Sequence, residues 1–385
     1  MAIVHCRNRR LNHIISSGTL AKRFLRPLEK TLLQCLPLEK DKSWFPKLPM
    51  LGYFIVMVQF QIGLFSSLRS LVEHVGFQVN SLTSGFPVKL STLSDALNSR
   101  RRLRVVRQIF SGLVLQAQRQ LPKSFRNFTR LAAFDSTILT CVSSAKWATY
   151  RKKVNAVKGH LLFDLAQSIP SKLILSVAKH HDRKYFRQFL ETGWTYIIDR
   201  AYNDYQVFAD MIAEGIFFVI KKKSNAVYSV LKKNKVKRAH KKKGILQDLT
   251  ILLGTYPKQM AEPVRLIIFE DEDGIVHHFL TNRFDLTPVS IADLYHARWS
   301  IEIFFKWLKR TLRAQPLLAR SMEAAEIQIL MALITDLLLK LLCQLPAFAR
   351  HIPVRTLRLI RQCLQQTVTP PLLQKIQLSL ETNLC

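Results

Sequence analysis

The sequence predicts an α/β protein: a mixed β-sheet with helices against it, set between helical regions at either end. Three features of the chain predict this. Residues 1 to about 125 are basic and show helical apolar periodicity. From about residue 128 short β-type apolar runs take over, in the order three strands, helix, strand, helix, strand. A β-rich stretch of about 60 residues then precedes a strongly patterned helix near residue 300.

In the first region helices are expected over Leu20 to Leu36, over Met50 to Val75 as one helix or a pair, and over Ser91 to Leu121, with Ser91 as the cap. The last of these carries Arg100, Arg101, Arg102, Arg104 and Arg107. Such a helix end suits a DNA groove or backbone, and it suits a solvated basic face equally well. Met50 to Phe65 is uncharged but holds Gln59, Gln61 and two glycines, and it falls short of the roughly 20 residues a bilayer requires, so a buried helix is expected and no membrane partner. The opening residues, Met1 to Ile14, lack the apolar run and cleavage site of a secretory signal.

The central strands are expected at Leu131 to Thr140, Ala156 to Leu165 and Lys172 to Val177, with Ser168-Ile-Pro-Ser171 as a turn. A helix over Arg183 to Glu191, a strand over Trp194 to Asp199, a helix over Asn203 to Ala213 and a strand over Ile216 to Ile220 complete the mixed sheet. Between Lys221 and Lys243 stand 11 lysines and arginines and no acidic residue. Further strands follow at Thr250 to Tyr256, Val264 to Glu270 and Ile275 to Thr281, the last two joined by an Asp271-Glu-Asp-Gly turn. Leu317 onward is helical; Ile327 to Leu345 is apolar but broken by Asp336 and Lys340, which favours core over membrane.

Bulk composition narrows the partners. The chain has 58 Lys and Arg against 26 Asp and Glu, a net charge of +32, which favours nucleic acid ahead of a membrane surface. A hydrophobic content of 48% excludes a disordered basic tail as its main content. The six cysteines, at 6, 35, 141, 343, 363 and 385, have no metal-ligand spacing and read as reduced thiols of a cytosolic protein. The lysine run is a phosphate clamp or a solvated loop; a polyanion would relieve its self-repulsion, which favours the clamp.

The most informative pattern is a helix expected from Asp293 to Arg313. Tyr295, Arg298, Glu302 and Lys309 stand at offsets 0, 3, 7 and 14, within roughly 60° of one another at about 100° per residue. Trp299, Ile301, Ile303, Phe304, Phe305, Trp307 and Leu308 fill the other directions, as a helix packed on a core requires. Two other carboxylates stand out. Asp135 interrupts an apolar strand, where it needs a partner or a metal, and Asp199 ends a strand where open sheets present functional groups. With Glu302 these could converge, and hard oxygen ligands select Mg²⁺ or Mn²⁺; two ions about 4 Å apart activate one oxygen of a phosphodiester reaction and steady the other. Simpler roles compete: Asp199 as a helix cap, although Asp204 is better placed; Asp164 as the strand carboxylate instead of Asp135; Glu302 with Lys306 or Lys309 as a surface ion pair. His180-His181 and His277-His278 lack ligand geometry and read as ordinary loop and strand residues.

The order Asp135, Asp199-Arg-x-Tyr202, Tyr295-x2-Arg298-x3-Glu302-x6-Lys309 resembles the bacterial insertion-sequence transposases of the DDE superfamily, in the branch with the Y-R-E-K signature, the insertion sequence four family. Phe279-Leu-Thr-Asn282 and Arg298-Trp-Ser-Ile-Glu302 match it too, and the likeness covers roughly residues 128 to 345. The resemblance implies a ribonuclease-H-like fold interrupted by a β-rich insertion before its last catalytic helix. It implies two Mg²⁺ ions, replaceable by Mn²⁺, held by the catalytic residues Asp135, Asp199 and Glu302, with Tyr295, Arg298 and Lys309 gripping the DNA backbone. The implied activity is cutting at inverted-repeat ends and joining to target double-stranded DNA, by a homodimer assembled on DNA in the bacterial cytoplasm, at the nucleoid. Related enzymes stack a flipped base on a tryptophan; Trp299 adjoins the stripe, yet core packing is expected for it.

The expected organisation is a helical DNA-binding domain at 1–125, a catalytic core at 126–222 and 285–345, a lysine-rich insertion at 223–284 and a helical C-terminal region at 346–385. A host nuclease on the same fold, or a DNA-binding relative whose site has decayed, are the alternatives, and the intact signature argues against decay.

Overall fold

A computed structural model describes residues 17–344 and 357, apart from 37, 46, 64, 66, 79–88, 126, 127, 129, 152, 153, 181, 182 and 258. The opening segment, His181, Cys6, Cys363, Cys385 and the expected C-terminal region thus lie outside the described residues, Leu357 excepted. The chain forms two compact units, one drawn from 1–121, 139–157 and 307–385, the other from 122–138 and 158–306.

The first unit opens with α1 (Ser17–Cys35), α2 (Leu38–Trp44), α3 (Met50–Ile62), α4 (Leu68–Gln78), α5 (Leu90–Leu97) and α6 (Arg100–Gln120). The single helix expected from Ser91 is two. Ser91 lies inside α5, and it is the Ser99 hydroxyl that accepts from the Arg102 backbone N–H at 3.3 Å, starting α6 afresh. No described helix is long and apolar enough to cross a membrane. Neither reading of the arginine run holds for the whole of it. Arg102 is buried, donates to the Leu48 carbonyl and lies over the Phe45 and Tyr53 rings at 4.3 and 4.9 Å. Consecutive residues point around the helix, so one arginine of such a run must face the core.

The strands are β1 (Leu131–Thr140), β2 (Thr149–Arg151), β3 (Val154–Asp164), β4 (Ile169–Val177), β5 (Thr195–Ile198), β6 (Phe217–Lys221), β7 (Tyr228–Lys233), β8 (Ile245–Leu253), β9 (Val264–Glu270) and β10 (Val276–Thr281). Helices α7 (Arg183–Phe186), α8 (Tyr205–Ala213), α9 (Arg238–Lys241), α10 (Pro288–Ala297) and α11 (Trp299–Arg310) alternate with them. In the second unit the sheet runs β3-β1-β5-β6-β10-β9-β8-β7, with β4 also paired to β3. β1, β5 and β6 are parallel, whereas every pairing from β6 outward to β7 is antiparallel. The β-rich stretch therefore extends the central sheet. Its strand β7, inside the lysine run, shows no apolar alternation: its residues from Ser229 on, Val230 and Leu231 included, are exposed, and lysines on such an edge keep it from pairing with other chains. One aromatic cluster fills the core beneath β1, β5 and β6, where Phe134 meets Phe186 and Phe189 at 4.9 Å each.

Two turns differ from expectation. Pro170 belongs to β4, and the reversal comes earlier, ending at Ser168 with φ +56°, because the Asp164 carboxylate accepts from the N–H groups of Ala166 and Gln167 at 2.9 and 3.2 Å. The helix expected from Asp293 to Arg313 is also two. Thr287 caps α10, with Pro288 in its first turn, and the ladder tightens at Arg298, whose N–H bonds Tyr295 O at 3.1 Å while its carbonyl accepts from Ile301 N–H at 3.1 Å.

The last described helix, α12 (Met322–Cys343), is buried along nearly its whole length and packs on α6, α3 and α1 within the first unit. Glu323 and Glu326 pair with Arg100 and Arg107 at 2.9 and 2.6 Å, which accounts for two more of the arginine run and leaves Arg101 and Arg104 exposed. Of the described cysteines, Cys35, Cys141 and Cys343 form no disulfide.

Candidate active site

Strand pairing brings the two aspartates together. Phe134 is opposite Ile198 in the parallel β1–β5 pair, so Asp135 and Asp199 are the next residues along neighbouring strands. Asp135 Oδ1 accepts from the Ser136 N–H at 2.8 Å, and Oδ2 lies 3.8 Å from Arg298. Arg298 Nη2 donates to Glu302 Oε1 at 2.7 Å, one turn on in α11. The Tyr295 hydroxyl is directed at Asp199, and its ring packs on Phe279 of β10 with centroids 4.5 Å apart. Asp135, Asp199, Tyr295, Arg298 and Glu302 are therefore one cluster. Lys309 lies seven residues beyond Glu302 on α11, on the same helix face by its 100° spacing, in the part of the helix that belongs to the first unit.

The electrostatics are those of crowded carboxylates. Burial, and then the charges of Asp199 and Glu302, push the Asp135 carboxyl up to about 6 in spite of Arg298 and the Ser136 N–H. Burial likewise raises the Tyr295 phenol to about 12 and depresses the Lys309 ammonium. Arg298 is the counter-ion of the cluster, and its Nε–H is buried with no hydrogen-bond partner among the described residues. The carboxylates of Asp135, Asp199 and Glu302 fit a divalent cation in their donor chemistry: all their acceptors are hard oxygens, and their mutual repulsion is what a cation relieves. Among the described residues, no three His, Cys, Asp or Glu side chains stand close enough to hold one ion as they are placed.

The competing roles resolve by geometry. Asp199 makes no side-chain cap bond, whereas Asp204 caps α8 by accepting from Gln206 and Val207 N–H. Asp164 is committed to its turn. His277 bonds Asp271 at 2.7 Å within the β9–β10 hairpin, and His180 bonds Tyr185 at 2.8 Å. Trp299 and Ile303 are not core residues: they are 50% and 55% exposed, while Ile301, Phe304, Phe305 and Leu308 carry the packing. Trp299 and Ile303, four and eight residues after Tyr295, stand about 40° and 80° from it at about 100° per residue, beside the polar stripe, and Lys306 lies over the Trp299 ring at 5.3 Å.

The partners of several supporting residues were not readable from the sequence. Arg265, buried in β9, pairs bidentately with Asp248 at 2.9 and 2.6 Å and donates to the carbonyls of Arg283 and Leu286, the loop that leads into α10. Asn282 donates to Ile216 O and accepts from Phe218 N–H, tying the end of β10 to β6. At the far end of α11 the Trp307 indole donates to Asp336 at 2.9 Å, and Asp336 pairs with Lys340 at 2.8 Å. A buried charge inside an apolar strand or helix was the available signal in each ion pair.

A mixed sheet with helices against it carries this cluster of carboxylates around an arginine. The family model for the transposase DDE domain matches residues 126–337, and the chain belongs to that family. It is 30% identical over 275 residues to a protein named as a transposase, y4zB, of Sinorhizobium fredii, covering 71% of this chain and 76% of that one. Similarity extends to the transposase named for insertion sequence element IS5377 of Geobacillus stearothermophilus, 27% identical over 61% of this chain and 63% of the other, and to that named for element IS4SA of Synechocystis, 26% identical over 72% and 77%. Among solved structures, the piggyBac transposase in a synaptic complex with hairpin DNA matches with a TM-score of 0.44 at 9% identity, over 85% of this chain and 72% of that one. The protein is thus an insertion-sequence transposase of the DDE type, a family whose chemistry is nuclease and transesterase and generally uses divalent metal ions.

Proposed function

We propose that this chain binds the inverted-repeat ends of its own insertion sequence, cuts there and joins the freed ends to target DNA, as a dimer assembled on double-stranded DNA in the bacterial cytoplasm. The observation that carries this is the meeting of Asp135, Asp199 and Glu302 around Arg298 from three separate chain segments. The parallel β1, β5 and β6 beside β3 and β4 support a ribonuclease-H-like core, with 223–284 as its insertion, between the segments 126–222 and 285–345. The segments 1–125 and 346–385 are assigned outside that core in this reading, the first serving DNA binding. The charge of +32 supports a polyanionic partner.

In this reading Asp135, Asp199 and Glu302 hold two Mg²⁺ ions, with Mn²⁺ as a substitute. Such ions supply Lewis-acid activation of an attacking oxygen and charge neutralisation at the leaving one. The remaining steps belong to the chain. Tyr295 orients the Asp199 carboxylate. Arg298, whose Nη2 donates to Glu302, brings a guanidinium charge to the cluster that suits a backbone phosphate. Lys309 adds a second cation on the same face of α11.

The test is cleavage and strand transfer on DNA carrying the element's ends, with Mg²⁺ or a chelator. Asp135→Asn, Asp199→Asn and Glu302→Gln are each expected to abolish end cleavage while end binding persists. Normal cutting by any of the three would remove that residue from the site, and cutting without joining would make the protein a nuclease.

A further inference from the structure

The strand registers trace one row of residues across the sheet of the second unit. Asp135 stands beside Asp199, because Phe134 pairs with Ile198. Asp199 stands beside Lys221, because Ile198 pairs with Ile220. Lys221 pairs with Phe279, Phe279 with Ile267 and Ile267 with Asp248. Lys233 of β7 pairs with Leu249, the next residue along β8. The row ends on Asn234, whose N–H bonds Asp248 O at 2.8 Å; the acidic cluster and the Lys232–Lys235 segment therefore lie at the same level of the sheet, with Lys232 on the face of the cluster and Lys233 on the other. Five strand steps separate β5 from β7 and six separate β1 from β7, about 24 and 29 Å at roughly 4.8 Å per step, somewhat less along the chord of a twisted sheet.

That distant edge is cationic, although the acidic Glu270–Asp273 turn adjoins its Lys243 end, where the Glu270 N–H bonds Gly244 O at 2.9 Å. Lys232, Lys233, Lys235, Lys237, Arg238, Lys241, Lys242 and Lys243 are exposed, and among the described residues none of them forms an ion pair. Lysines on an edge strand guard it against pairing with other chains, and one or two suffice for that. Here the charge runs past the end of β7 and through α9, where there is no strand edge to guard. A row of phosphates is the partner that such an arrangement fits.

We propose that this edge grips the backbone of the same duplex whose end the active site holds, about 7 to 9 base pairs from the reacting phosphodiester at roughly 3.4 Å per pair. The inference rests on the site assignment given under the proposed function. Its distance from the acidic cluster makes it a second hold on the duplex, set by the width of the sheet and independent of base sequence.

The experiment compares the full chain with a Lys232→Ser, Lys233→Ser, Lys235→Ser variant, binding blunt duplexes of about 6 and about 16 base pairs across about 50 to 200 mM salt. On the longer duplex the slope of log affinity against log salt should become shallower by about 2 to 3, and on the shorter one it should not change. A triple Lys→Arg variant should keep the wild-type slope on both. An unchanged slope on the longer duplex, with aggregation of the serine variant, would assign the lysines to edge protection and overturn the proposal. Equal loss on both lengths would overturn it as well, by showing an edge that binds DNA without reference to the active site. Arg298→Ala on the short duplex reads the site assignment alone, so failure there is seen in a separate arm.

Discussion

Asp135 is the residue at which burial and charge compete most directly. Its carboxyl, ordinarily near 3.9, sits at about 6 in the folded chain, so the folded state binds a proton that the unfolded state releases between those values. The stabilisation from that proton is complete below about pH 4 and is lost as pH rises through about 6, a difference of about 2 to 3 kcal/mol. With chelator present, Asp135→Asn should therefore melt a few degrees above wild type at pH 7, and the gap should close by pH 4; a gap independent of pH would show that the carboxyl is not destabilised by its surroundings. Arg298 offers a second residue-scale prediction. Arg298→Ala and Lys309→Ala should each weaken end binding and reduce the salt slope by about one, the signature of one lost phosphate contact, and an unchanged slope would mean that neither side chain meets phosphate.

At the scale of elements, α10 and α11 are held from both ends by buried charges. The Arg265–Asp248 pair fastens the loop before α10, so Arg265→Met should leave Asp248 buried and unpaired at a cost of about 3 to 5 kcal/mol. Hydrogen exchange in residues 283–290 is the measurement: it should quicken there more than in β1, and uniform quickening would reduce Arg265 to a general stabiliser. At the other end Asp336, fully buried, receives the Trp307 indole and the Lys340 ammonium. Asp336→Leu should cost about 3 to 5 kcal/mol in urea unfolding, and Asp336→Leu with Lys340→Leu should recover most of it, since an apolar pair replaces a buried ion pair at little cost. Additive losses in the double variant would mean that the two charges do not depend on each other. Both ion pairs were readable only as oddities, a charge within an apolar run, because the partner in each case comes from another element or another turn.

For the whole molecule, periodicity was a dependable guide wherever one face of an element was buried. Leu131–Thr140 and Val264–Glu270 follow the expected bounds, since alternation fixes a strand that has a core side. β7 was illegible for the converse reason: Val230 and Leu231 stand side by side and exposed before two lysines, so no buried face imposes alternation. The stripe of Tyr295, Arg298 and Glu302 was legible although the helix carrying it breaks, because offsets of three and four survive one tightened turn. Trp299 shows the limit of reading by residue type: a large aromatic suggests the core, yet at four residues from Tyr295 it stands beside the polar stripe and is half exposed. By itself, then, the sequence determined the family, the basic character and the identity of the clustered residues, all of which depend on residue type and local spacing. Only the tertiary structure decided that Arg298 is the counter-ion of that cluster, that Arg102, Arg265 and Asp336 are interior supports, and that the lysine edge shares a row with the acidic one, because pairing register and burial are set between segments distant in the chain.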